Sequence, residues 1–171
     1  PSVRRDLRAN AAQLHEFLAR VPGATVHLVG YSLGGLVIRA LFRFHPGQRP
    51  GRVLLLGSPQ QGSRAAAALS AVGFGRRLAG RSLADLNAGI PQAWDWPARE
   101  IGAIAGNLPL GLGRLVSRLS GPNDGTVLVA EAVPAAARDR LVLRVSHAGL
   151  LFMAAVARHF VAVSTPLDKV A

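Results

Sequence analysis

The sequence predicts an α/β architecture with a mostly parallel sheet and crossover helices, and three observations carry that prediction. A helical apolar period gives way to short β-rich runs. A strand, a tight turn and a helix follow one another without a break, and a continuous apolar run too short for a helix suits a strand buried on both faces. The chain has 171 residues, 50% of them hydrophobic and 17% charged, enough apolar side chains for one domain and too few charges for a disordered tail.

The elements read in order. Leu7, Ala11, Leu14, Phe17 or Leu18 and Val21 recur at helical spacing, with Asp6 placed to cap the start and Gly23 just past the end, so residues 7 to 21 read as an amphipathic helix. Thr25 to Val29 is a short β-rich run ending at Gly30, and Leu36 to Phe44 reads as a helix closed by His45-Pro46-Gly47. Arg52 to Gly57 contains the buried-strand run, which completes a βαβ unit. From Ser58 to Pro97 glycines interrupt helical pieces, and Trp94 and Trp96 read as exposed indoles, so residues 62–98 read as a cap-like insertion within the single domain 1–171. Ile101 to Ala105 and Leu141 to Val145 read as further strands, and Leu150 to Val163 as a closing helix with Arg158 and His159 on its wet face.

Composition removes several function classes. The chain has no Cys, which rules out disulfide scaffolds, thiol catalysis and thiolate metal sites. The five His are not spaced as metal ligands and no cofactor-binding loop is present, so neither a metal nor a cofactor is expected. The net charge of +11 raises an acidic partner as a possibility. Its arginines, among them Arg4-Arg5, Arg39, Arg43, Arg76-Arg77, Arg114, Arg118, Arg138 and Arg140, are scattered without a run or aromatic interleaving. They read as solvated faces, and no nucleic-acid partner is expected.

The chemistry starts at Gly30-Tyr31-Ser32-Leu33-Gly34, which has the G-x-S-x-G spacing of a nucleophile elbow. A serine on a sharp strand-to-helix turn sits with strained backbone angles, and the glycines two before and two after leave room for strand and helix to approach. The helix that follows aims its first amides at the oxygen where negative charge would develop, with Leu33 N–H as one oxyanion donor. On sheets of this kind the acid and then the base follow the serine along the chain, each in a loop at the carboxyl end of a strand. Of the five His, only His147 follows a predicted strand with a helix behind it; His15, His27, His45 and His159 lie within or at the ends of predicted elements. Asp124 in Gly121-Pro122-Asn123-Asp124-Gly125-Thr126 is the best-placed acid, although Asn-Asp-Gly is also an ordinary turn sequence. Asp85 and Asp95 fall in the irregular insertion, and Glu131 ends the apolar run after Asp124, so these three fit the acid role less well.

With these motifs in place, the sequence resembles the C-terminal part of an α/β-hydrolase, close to bacterial lipase-like and esterase-like members. Gly30 to Gly35 matches the elbow, Asn123 to Val127 the acid loop and Ser146 to Leu150 the base loop. Gly57-Ser58-Pro59-Gln60-Gln61-Gly62-Ser63 resembles the segment after the next strand, with Gln60 where that group commonly has His. The resemblance implies a Ser32–Asp124–His147 triad that cleaves a carboxylic ester through an acyl-enzyme, with activity rising as the base loses its proton. It also implies strands before the first helix, and a second oxyanion amide carried by the loop after one of them. Residues 1 to 24 hold no such strands, so the chain reads as N-terminally truncated, and loss of one such donor typically costs about 10²- to 10³-fold in turnover. The strand before the elbow would then be an unpaired edge, from which aggregation or oligomerisation is expected.

A small ester or lipid is the expected partner, with peripheral contact at a lipid surface, and the insertion, through Phe74, Trp94 and Trp96, is expected to cover an apolar acyl site. Two readings from other classes stand beside this one: a noncatalytic hydrolase-like binding or scaffold domain, and an Arg-rich module for acidic partners.

Overall fold

Asp6 opens the first helix of the computed structural model, which describes residues 4–65, 67, 81–82, 84–89, 91–110 and 119–152. Its side chain accepts from the Ala9 amide at 2.7 Å, the N-cap contact that satisfies one of the helix's orphan donors, and α1 runs Leu7–Arg20. At the far end the Arg49 guanidinium donates to the carbonyls of Leu18, Val21 and Gly23, a cation placed where the last carbonyls of α1 need donors.

Four strands follow, β1 (Leu28–Tyr31), β2 (Val53–Leu56), β3 (Ile101–Gly106) and β4 (Asp139–Leu143), all parallel and in the order β1-β2-β3-β4. Helix α2 (Leu33–Phe44) crosses from β1 to β2, and the single turn α3 (Val129–Ala132) lies between β3 and β4. The α/β sheet predicted from the sequence is therefore present. Its central strands are buried on both faces: Val53, Leu55, Ile101 and Ala103 join the core under α1 and α2, while Leu54, Leu56 and Ile104 pack with Val145 and Leu150 on the other side.

Boundaries differ from the prediction where tertiary pairing outweighs local pattern. The first strand is Leu28–Tyr31 and not Thr25–Val29, because its register against β2 continues through Gly30↔Leu55 and Tyr31↔Leu56 up to the turn. Helix α2 begins at Leu33, three residues before Leu36, with both glycines inside its first turn. The last strand is Asp139–Leu143 and not Leu141–Val145, since Gly102↔Asp139 starts its pairing with β3. At the closing helix predicted from Leu150, a short 3-10 turn covers Ala148–Leu151. Residues 153–171, with Arg158 and His159, lie outside the described residues, as do Phe74, Arg76, Arg77, Arg114 and Arg118.

The insertion is stitched to the helices. Asp85 accepts from the Leu7 amide at 2.9 Å, Ser82 bonds Asn10 Nδ2 at 3.0 Å, and Trp94 and Trp96 stand edge-on to Phe44 and Phe42 with ring centroids 5.3 and 6.2 Å apart. The indoles are thus part-buried core partners and not the exposed pair read from the sequence. Phe42 and Phe44 are in the last turn of α2, roughly 15 Å along the axis from Ser32 at 1.5 Å per residue. Arg39 departs from the sequence reading too. It is buried within α2, where its guanidinium donates to the carbonyls of Gln60 and Trp94 and stacks over Trp96.

Where α1 meets the end of α2, the His15 and His45 rings stack with centroids 4.3 Å apart. Burial first, then His15 and Arg8, hold the His45 pKa below its ordinary value. A group depressed in this way favours the neutral ring in the folded state, so unfolding takes up protons and stability is lost as pH falls. The melting temperature of the wild type should therefore drop more between about pH 7 and about pH 5.5 than that of His45→Gln, as measured by calorimetry in matched buffers.

Candidate active site

Ser32 stands between β1 and α2 with φ +50° and ψ −122°, the one non-glycine residue of positive φ among the described residues. Such a backbone costs of order 1–3 kcal/mol and persists only where its surroundings over-determine it. Here the Ser32 amide is still in the sheet, donating to Leu56 O at 2.9 Å, while its carbonyl already accepts from Gly35 N at 3.2 Å. Strand and helix are then forced together. A Cβ on Gly30 would lie 2.5 Å from Gly35 Cα, and a Cβ on Gly35 would lie 2.3 Å from Ser58 Oγ. Gly34, by contrast, faces open space. The residues that need to be glycine are therefore 30 and 35, not the second glycine of the five-residue motif. At the first turn of α2 the Leu33 amide has no carbonyl within the helix to bond.

The imidazole of His147 lies over this turn. His147 Nε2 is 3.0 Å from Ser32 Oγ, and His147 Nδ1 is 2.7 Å from Asp124 Oδ2. Three residues that the sequence singled out separately, 23 and 115 positions apart, are thus brought into one hydrogen-bonded line. Asp124 is 1% exposed and is held by the turn that follows it: Oδ1 accepts from the amides of Thr126 at 2.9 Å and Val127 at 2.7 Å. Its main chain holds His147 as well, since Asp124 O accepts from His147 N at 2.8 Å. The Asn-Asp-Gly turn and the contact with His147 are compatible, because the local Asx bonds use Oδ1 and leave Oδ2 for the ring. Tyr31 closes the other side of the base: its hydroxyl donates to His147 O at 3.2 Å and its ring is 4.9 Å from the imidazole. Burial first, and the Asp124 carboxylate second, push the Tyr31 pKa above its ordinary value, so the phenol keeps the proton it donates.

Two of the three competing carboxylates are occupied elsewhere. Asp85 caps α1. Glu131 is buried with Oε1 accepting from Arg64 N at 2.8 Å and Oε2 from Leu128 N at 3.0 Å, which secures the loop after β2 to α3. Sequence reasoning noted Tyr31 and the segment Gly57 to Gln60 within motifs but gave none of Tyr31, Gly57, Ser58 and Gln60 a place beside the three residues. A Cβ on Gly57, where φ is +51°, would lie 3.1 Å from both Asp124 Oδ2 and His147 Nδ1. Ser58 and Gln60 are wholly buried beneath α2. Their sequence signals were position, immediately after a buried strand, and the likeness of residues 57–63 to a family segment. Among the described residues no group of three or more His, Asp or Glu could hold a metal ion.

The all-parallel sheet and its crossover helix match part of an α/β-hydrolase fold of the lipase-like kind. In three dimensions the chain is similar to the lipase BlEst2 of Bacillus licheniformis. Against the mature form the TM-score is 0.79 at 23% identity, over 95% of this chain and 76% of that one. Against the propeptide form it is 0.78 at 23%, over 95% of this chain and 42% of that one. No protein-family model matches the sequence, and no curated protein matches it.

The glycine contacts separate two substitutions that look alike in sequence. Gly34→Ala should retain the fold and gain up to about 1 kcal/mol from helix propensity, raising the melting temperature by about 2–4 °C. Gly35→Ala should lower it and displace the turn, which melting curves of the two variants side by side would show.

Proposed function

We propose that the protein is a serine hydrolase that cleaves a carboxylic ester, with Ser32 as nucleophile, His147 as general base and Asp124 as the group that orients the base. The observation that carries this reading is the unbroken line Ser32 Oγ–His147 Nε2, His147 Nδ1–Asp124 Oδ2 at 3.0 and 2.7 Å, set at the opening of α2. His147 takes the Ser32 proton as Oγ attacks the ester carbonyl. The tetrahedral oxyanion is met by the Leu33 amide, and His147 then returns the proton to the departing alkoxide. Water, deprotonated by the same imidazole, attacks the acyl-enzyme and releases the acid. Asp124, held by the amides of Thr126 and Val127, orients the imidazole and stabilises the imidazolium.

Exposed apolar side chains at the same end of the sheet support an ester with an apolar group. Leu110 follows β3, and Leu151 and Phe152 follow His147; they are 56%, 53% and 85% exposed. A lipid-like or medium-chain ester would cover such surface, in keeping with the lipase fold.

Labelling with a fluorophosphonate, located by peptide mass spectrometry, tests the assignment. The adduct is expected on Ser32 and absent in Ser32→Ala, with His147→Ala labelling at least about 10³-fold more slowly and Asp124→Asn losing roughly 10⁴-fold in kcat on a p-nitrophenyl ester. An adduct elsewhere, or none in a folded chain, would overturn the assignment and favour the noncatalytic binding-domain reading.

A further inference from the structure

We propose that Gln60 is a positioning residue for the nucleophile, acting through Ser58; the proposal rests on reading Ser32 as that nucleophile. Gln60 is wholly buried, its Nε2 donates to Ser58 Oγ at 2.7 Å, and its Oε1 has no hydrogen-bond partner among the described residues. A buried amide with an unmet acceptor is less stable than an apolar side chain of the same shape, so stability does not account for it. Nor is the side chain needed to hold its own loop. The main chain does that, with Gln60 N donating to Ser58 O at 2.8 Å and Arg39 donating to Gln60 O at 3.0 Å.

What the Ser58–Gln60 pair does touch is the turn that carries Ser32. A Cβ on Gly35 would lie 2.3 Å from Ser58 Oγ and 2.9 Å from Gln60 Nε2, so these two polar atoms form the surface on which the first turn of α2 rests. The same loop begins at Gly57, directly under the Asp124–His147 bond. Residues 57–60 therefore bear on the base–acid pair at one end and on the serine's helix at the other. The Nε2–Oγ bond fixes the Ser58 hydroxyl, the hydroxyl fixes the height of Gly35, and the helical turn transmits that height to Ser32. The 3.0 Å separation of Ser32 Oγ and His147 Nε2 depends on this spacer.

Two substitutions separate positioning from packing. Gln60→Met keeps the shape and removes the amide, and Gln60→His restores an N–H that can donate to Ser58. Melting temperature, kcat and KM on a short p-nitrophenyl ester, and the crystal structure of each variant are the readouts. The expected result for Gln60→Met is a melting temperature at or above that of the wild type, a kcat lower by about 10- to 100-fold with KM within about threefold, and a Ser32–His147 separation beyond about 3.5 Å. Gln60→His should return kcat to within about fivefold of the wild type and restore the hydrogen bond. A Gln60→Met variant that melts lower, turns over like the wild type and keeps the hydrogen bond would overturn the proposal and leave the amide a packing element. Should the wild type itself neither label nor hydrolyse, the hydrolase reading fails, but the crystal structures still decide this one: a shifted Ser32 upholds the spacer and an unmoved one refutes it.

Discussion

The backbone-on-backbone approach of Gly30 and Gly35 is the constraint from which the site follows. With no Cβ on either, α2 lies directly against the end of β1, and the chain between them has room for only one conformation, with Ser32 at φ +50°. The strain at Ser32 is of the order that a few core side chains offset. Those side chains are present: Val37, Ile38, Ala40 and Leu41 bury the same helix against the sheet. The burial that seats α2 also sets its amino end, with its partial positive charge, beside Ser32. Stability and chemistry are thus supplied by one packing event.

A second constraint ties the remaining residues to the first. Asp124 is buried, and a buried carboxylate is tolerable only when its oxygens are bonded. Two amides of its own turn and the imidazole meet that requirement, while its main-chain carbonyl fixes the chain that carries the imidazole. Asp124 and His147 are therefore held as one body, and Tyr31, next to the serine in sequence, joins that body to the turn through its bond to His147 O.

The parts of this arrangement that could be read from the sequence were those encoded locally. Gly30 to Gly35 sits between a β-rich run and a helical one, Asp124 lies in a turn whose residues bond it, and His147 follows a strand; each signal fits within a few residues. Arg39 could not be read in the same way. In sequence it is one scattered arginine among many, and only the meeting of α2, the loop after β2 and residue 94 shows that its guanidinium bonds carbonyls from two segments. Trp94 and Trp96 misled for the same reason, since their partners Phe42 and Phe44 are some fifty residues away. The shifted ends of β1 and β4 were set by register with a neighbouring strand, which no single run contains.

The stitching of the insertion bears on how freely that segment can move. Asp85 holds α1 and Ser82 holds Asn10, while Arg39 grips the carbonyl of Trp94 and both indoles are wedged against α2. A door must swing about few contacts, and residues 82–96, where described, are anchored at several points along two helices. That stretch is framework. The exposed apolar side chains lie elsewhere, with Leu110 on the segment that leaves β3 and Leu151 and Phe152 beyond His147, so that end of the sheet can vary without disturbing the wall behind it.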